Sequence, residues 1–174
     1  MYRVLIAGIS GSGKTTMART LALRLELPHY ELDALHHGPG WVKRPEFESD
    51  VDAFSSGRCW VTEDQYHSVL DDLLWERADT VVWLDLPRRT VMQRVIRRSI
   101  ARATTRRELW NGNRESFRDW LDPEHPMRWA WSQYERKQRA GLERIARHSQ
   151  ITVVHLRSAG EAHRWVAAVT ARSS

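Results

Sequence analysis

The chain has 174 residues, 41% of them hydrophobic and 28% charged, values of a globular domain long enough to bury a full core. No run approaches the length of a membrane span, the apolar stretch over 4–9 is too short for a signal peptide, and the single Cys59 excludes an internal disulfide, so a cytoplasmic setting is expected. Net charge is +5, and apart from Lys14, Lys43 and Lys137 the 27 basic residues are all arginine, whose planar fork matches phosphate geometry.

A first strand is predicted over 2–7, followed by a helix over 14–25. In that helix Met17, Leu21 and Leu25 recur at i, i+4 and i+8, with Ala18 and Ala22 beside them. Residues 29–32 read as a second strand ending at Asp33. A loop over 34–45 holds Gly38-Pro39-Gly40-Trp41, and Pro45 suits the first turn of a helix that Gly57 stops. Residues 59–62 make a third strand running into Glu63-Asp64, where Cys59 is expected to be a buried structural thiol. A helix over 67–77 carries Val69, Leu70, Leu73 and Leu74, and the strand over 80–86 is stopped by Pro87.

From 88 to 107 the pattern is helical. Val91, Val95 and Ile96 line one face, and Arg94, Arg98 and Arg102 stand at i, i+4 and i+8. A polar stretch over 104–113 interrupts, with a turn signal at Asn111-Gly112-Asn113. A short helix over 115–121, a long one over 126–147, a strand over 151–156 and a closing helix over 160–171 complete the chain. Trp60, Trp75, Trp83 and Trp165 fall at core positions, whereas Trp110, Trp120, Trp129 and Trp131 fall in or beside the interruption.

This βα alternation with near-continuous apolar strands means an α/β fold, a parallel sheet covered on both faces and joined by right-handed crossovers. One domain over 1–174 is expected, with its core in 1–87 and 148–174 and an arginine-rich helical lid with flanking helices over 88–147. Ligands of such sheets sit beyond the carboxyl ends of the strands. That rim receives Asp33, Glu63, Asp85 and the segment that opens the first helix.

That opening segment reads Gly8-Ile9-Ser10-Gly11-Ser12-Gly13-Lys14-Thr15-Thr16. It matches the phosphate-loop pattern G-x-x-x-x-G-K-[ST], set between a strand and a helix. Gly8, Ser10, Gly11, Ser12, Gly13, Lys14, Thr15 and Thr16 are therefore the expected ATP-binding residues. Backbone N–H groups of the loop and the helix N-terminus receive phosphate oxygens. Lys14 reaches the β- and γ-phosphates, and the Thr15 hydroxyl ligates Mg²⁺. Asp33 is read as the group that accepts the acceptor's proton, against the plainer reading of a turn cap. Glu63, or Asp64 beside it, is read as a Mg²⁺ support, against a solvated strand-end acid. Of the arginines crowding 88–118, the row Arg94, Arg98 and Arg102 is expected to neutralise the transferring phosphoryl group. His36 and His37 lack further ligands at metal spacing, and with Trp41 they are read as lining an acceptor pocket.

These blocks resemble the adenylate-kinase-like P-loop family called topology modulation protein, relatives of nucleoside monophosphate and shikimate-type kinases. The resemblance spans nearly the whole chain: GISGSGKTT, LDAL over 32–35, GPGWV over 38–42, WVTEDQY over 60–66, ADTVVWLDLPR over 78–88 and WNGNRE over 110–115. Where the family's block around residue 60 has an aspartate followed by glycine, this chain has Glu63 and Asp64. The resemblance implies a three-layer αβα P-loop fold with five parallel strands in the order 2-3-1-4-5. It also implies ATP and Mg²⁺ as cofactors, with an adenine site near 156–158 and 98–102.

The leading function is then an ATP-dependent phosphotransferase acting on a small acceptor, a nucleotide or nucleoside in preference to others. The alternative is a nucleic-acid-associated ATP-binding regulator of DNA topology, motivated by a pI of 9.9 and by the family's name. A bare NTPase takes most of what remains, and the absence of N-K-x-D disfavours a GTPase.

Overall fold

The computed structural model describes residues 1–105 and 126–171, with side chains over 1–97 and 134–169. Strand β1 (Arg3–Gly8) leads into α1 (Lys14–Leu25), followed by β2 (His29–Tyr30), α2 (Leu32–His36), α3 (Phe47–Ser55) and β3 (Trp60–Glu63). Then come α4 (His67–Leu70), α5 (Leu73–Arg77), β4 (Thr80–Leu84), α6 (Arg88–Thr105), α7 (Pro126–Arg147), β5 (Thr152–Leu156) and α8 (Ala159–Ala171). The five strands form one parallel sheet in the order β2-β3-β1-β4-β5. The expected α/β fold and strand order are both present.

Side-chain alternation along the strands divides the core into two layers. Val4, Ile6, Val61, Val82 and Leu84 pack against Met17, Ala18 and Leu21 of α1 and Val166 of α8. On the opposite face Leu5, Ala7, Trp60, Val81 and Trp83 pack against Phe47, Leu74 and Trp75. Trp60 and Trp75 are fully buried, and each indole N–H has an acceptor: the Ser55 carbonyl at 3.1 Å and Asp64 Oδ1 at 2.9 Å. Trp165 is half-buried against the α1 layer.

Several boundaries differ from the sequence pattern. The second strand ends at Tyr30, and Leu32 begins a one-turn helix, so Asp33 lies on α2 and not at a strand end. Leu32 fills the α3 layer from that helix, and its burial reads the same in either geometry. The predicted loop over 34–45 contains a 3₁₀ turn, Pro39–Trp41, and a bridge pairing His37 with Lys43. The single helix predicted over 67–77 is broken at Asp71, whose φ is +46°. Aspartate tolerates that left-handed backbone better than most residues.

Cys59 is exposed, contrary to expectation, because β3 starts one residue later and Gly57–Cys59 turn on the surface. Ile96 is also exposed, at 39%; Val91 and Val95, four residues apart, carry the buried stripe of α6 without it. The short helix over 115–121, the turn at 111–113, and Trp110 and Trp120 lie outside the described residues, as do the side chains of Trp129 and Trp131. Among the described residues no helix is long and apolar enough to cross a membrane.

Candidate active site

Gly8, Gly11 and Gly13 all have positive φ, at 144°, 84° and 101°. At Gly8 a Cβ would stand 2.7 Å from Ser12 Oγ and 2.8 Å from the Leu84 carbonyl oxygen, so only glycine lets the strand turn directly into the loop. At Gly11 a Cβ would overlap Val95 Cγ2. That glycine therefore also admits α6 against the loop, where Val91 and Val95 are fully buried. Gly11→Ala combines a strained backbone with this overlap. It is expected to cost about 1–3 kcal/mol in urea unfolding; a loss below about 0.5 kcal/mol would refute that packing.

Gly13 caps α1 in the left-handed conformation, and Lys14 is the first helical residue. Lys14 is 9% exposed, and its ammonium donates to the Gly8 carbonyl at 2.8 Å. Ser12 Oγ is buried with no hydrogen-bond partner among the described residues. A buried hydroxyl without a partner is costly in a closed structure. At a helix N-terminus framed by glycines it fits a loop shaped to receive an anion's oxygens. Ser10 and Thr15 are half-buried around the same turn, and Thr16 is exposed.

Helix α6 reaches this loop. Arg94 Nη1 donates to the Ser12 carbonyl at 2.7 Å, which puts a guanidinium against the phosphate loop. Arg98 and Arg102 continue α6, and their side chains lie outside the described residues.

Glu63 is 1% exposed and stands on the α1 face of the sheet, two residues beyond Val61; its Oε1 lies 3.2 Å from His29 Nε2. Asp64 turns to the opposite face. There Oδ1 accepts from Trp75, and Oδ2 lies 3.4 Å from His67 Nε2. The two adjacent acids thus have separate surroundings, and only Glu63 shares a face with α1 and its Thr15.

Asp33 is drawn into a polar chain. The Tyr66 hydroxyl donates to Asp33 Oδ1 at 2.6 Å and lies 3.1 Å from His37 Nε2. Burial, with the Asp33 carboxylate beside it, pushes the Tyr66 phenol well above its usual range, so the hydroxyl stays a donor. His36 stacks on Tyr66 at 4.2 Å and meets Phe47 edge-on at 4.8 Å. Burial, with His37 and Lys43 adding to it, lowers the His36 pKa, which keeps its ring neutral at pH 7. The exposed indole of Trp41 packs edge-on against His37 at 5.2 Å. The result is a carboxylate at the edge of an aromatic enclosure.

Sequence reasoning assigned no role to Tyr66, His67 or the face of α7. That helix crosses the strand ends. The Tyr134 hydroxyl donates to the Leu86 carbonyl at 2.8 Å, Gln138 Nε2 donates to Asp85 Oδ1 at 2.8 Å, and Arg144 Nε donates to Asp72 Oδ1 at 2.9 Å. His155 holds the other Asp85 oxygen at 2.9 Å while stacking on Trp83. The spacing 134, 138, 141, 145 and 148 was a legible helical stripe, but its polar members gave no hint of their partners.

No family model and no curated protein matches the chain in sequence. Solved structures do match it in shape. A shikimate kinase from Bacteroides thetaiotaomicron superposes with a TM-score of 0.58 at 14% identity, over 98% of this chain and 97% of that one. The chain has the shikimate kinase fold. A shikimate kinase from Acinetobacter baumannii, solved in complex with shikimate, gives 0.55 at 17% identity over 97% and 90%. A gluconokinase from Sinorhizobium meliloti gives 0.50 at 18% over 98% and 94%. At these identities the likeness concerns the P-loop kinase fold.

Proposed function

We propose that the protein is an ATP-dependent small-molecule kinase. The observation that carries this is the juxtaposition on one rim of the phosphate loop, headed by Lys14, with the Asp33–Tyr66–His37 chain beside its aromatic enclosure. A phosphate cradle alone fits any NTPase. A carboxylate beside aromatic side chains at the same strand ends fits an acceptor hydroxyl, whose proton passes to Asp33 as its oxygen bonds the phosphoryl group and ADP leaves.

In this reading Gly8 to Thr16 hold the triphosphate, and Lys14 and Arg94 offset the charge spread over its oxygens, with Arg98 and Arg102 further along α6 in the same role. Thr15 ligates Mg²⁺, with Glu63 behind it on the same face. Magnesium supplies neutralisation of the phosphate charge. The acceptor is a nucleoside or nucleotide: Trp41, His36 and Tyr66 offer flat walls for a base, and Asp33 offers an oxygen for a sugar hydroxyl. The likeness of LDAL, GPGWV and WVTEDQY to the topology modulation protein family belongs to the same proposal.

The test is ADP release measured across nucleosides, nucleoside monophosphates and small hydroxy acids. An acceptor-dependent rate well above the no-acceptor rate is expected for a nucleoside or nucleotide. A rate unchanged by every acceptor would reject kinase activity, and stimulation by hydroxy acids alone would reject the acceptor class.

A further inference from the structure

We infer that His37 is a positioning residue of the phosphoryl transfer: its Nε2–H holds the Tyr66 hydroxyl as a donor onto Asp33 Oδ1, so that the acceptor's hydroxyl meets Asp33 at Oδ2. The inference rests on the reading of Asp33 as the proton acceptor and extends it to a group that acts through another side chain.

The direction of the chain follows from its chemistry. A carboxylate oxygen only accepts, so the 2.6 Å contact between the Tyr66 hydroxyl and Asp33 Oδ1 uses the one phenolic hydrogen. His37 Nε2 lies 3.1 Å from the same hydroxyl. With the phenolic hydrogen committed, that nitrogen has to donate, and this holds for a neutral and for a protonated ring. Burial, then the bond to Asp33, keeps the phenol protonated. Both hydrogens of the chain therefore point toward the carboxylate.

The backbone fixes both side chains. The His37 N–H donates to the Asp33 carbonyl at 3.1 Å, the Arg44 N–H to the His36 carbonyl at 2.9 Å, and the Gly38 N–H to the Val42 carbonyl at 2.8 Å. Together with the bridge between His37 and Lys43, these bonds hold the loop that carries the imidazole. On the other side Tyr66 caps α4 with φ at +58°, a left-handed backbone that bulky residues rarely adopt. Such a conformation persists where its surroundings over-determine it. Here they are the His36 ring stacked at 4.2 Å, the Phe47 ring edge-on at 5.1 Å and the two partners of the hydroxyl.

The consequence for the reaction is one of competition. A phenol oxygen accepts as well as donates, so without the Nε2–H the acceptor's hydroxyl is free to bond Tyr66 in place of the base. With His37 seated there, Tyr66 takes Oδ1, and Oδ2 is the oxygen assigned to the acceptor.

The test combines acceptor-dependent ADP release with ¹⁵N NMR of the histidine rings in the full chain. His37→Phe keeps a flat ring beside Trp41 and deletes the N–H. It is expected to lower kcat/KM for the acceptor about three- to tenfold, the loss of one hydrogen bond, with KM for ATP changed by less than about twofold. His37→Gln sets an amide N–H near the same point and should restore most of the loss, which a packing role would not allow. In a Tyr66→Phe background, His37→Phe should change the rate by less than about twofold, because its target is gone. No loss in the wild-type background, or an equal loss in both backgrounds, would overturn the role while leaving kinase activity intact. The spectra are expected to show a proton on His37 Nε2 and a shift of that signal in Tyr66→Phe; an unprotonated Nε2 would overturn the chain's direction whatever the activity. Wild-type protein with no acceptor-dependent release would overturn the kinase reading, and the role of His37 with it.

Discussion

Lys14→Met is expected to slow phosphoryl transfer about 10³-fold with little change in the unfolding midpoint. Methionine keeps the unbranched stem, so the side chain that is 9% exposed still fills its place, and what is removed is the ammonium. The cost to folding is small because the bond from Nζ to the Gly8 carbonyl, at 2.8 Å, is one hydrogen bond at the edge of the loop. The cost to the reaction is large because a positive group aimed at developing charge in a partly dry site acts with little reorganisation. Paired measurements of acceptor-dependent ADP release and thermal unfolding decide it. A fall in rate below about tenfold would mean that Lys14 is not the principal cation.

Asp33→Asn is the second large effect. Its amide oxygen can still accept the Tyr66 hydroxyl, now 2.6 Å from Oδ1, so the local fold is kept while the negative charge and the basicity are lost. A reduction of about 10²–10⁴-fold in kcat is expected, with the affinity for nucleotide unchanged. Tyr66→Phe provides the contrast, since it removes the donor and leaves the carboxylate. Its effect should be smaller and should fall on KM for the acceptor as much as on kcat. If Asp33→Asn retains more than about a tenth of the wild-type kcat, Asp33 is a positioning residue and the proton goes elsewhere.

The two variants probe opposite ends of one rim, and their legibility in the sequence differed for a physical reason. The phosphate loop is local. Its glycines, Lys14 and the helix that follows occupy one continuous stretch, and each residue's role is set by neighbours within a few positions. Asp33 was placed on the correct rim for a partly incorrect reason. It sits on the one-turn helix α2, and its partner Tyr66 is 33 residues away. Glu63 and Asp64 posed the reverse problem: adjacent in sequence, they face opposite sides of the sheet because strand side chains alternate. Cys59 was misjudged by one position at the edge of β3, where propensity carries little information, and Ile96 by one position around the face of α6.

The sequence by itself determined the parallel α/β architecture, through the alternation of buried strands with amphipathic helices, and the phosphate-binding loop, through spacing that only a glycine-framed turn satisfies. Both depend on short-range periodicity and on conformations open to particular residues. Tertiary structure alone decided which distant groups meet: Arg94 on the Ser12 carbonyl at 2.7 Å, Tyr66 on Asp33, and α7 fastened across the strand ends by Tyr134, Gln138 and Arg144. Those contacts link residues 33 to 82 positions apart, and no local pattern encodes them. They arise from the order of strands in the sheet and from the packing that seats α6 and α7 against its carboxyl edge.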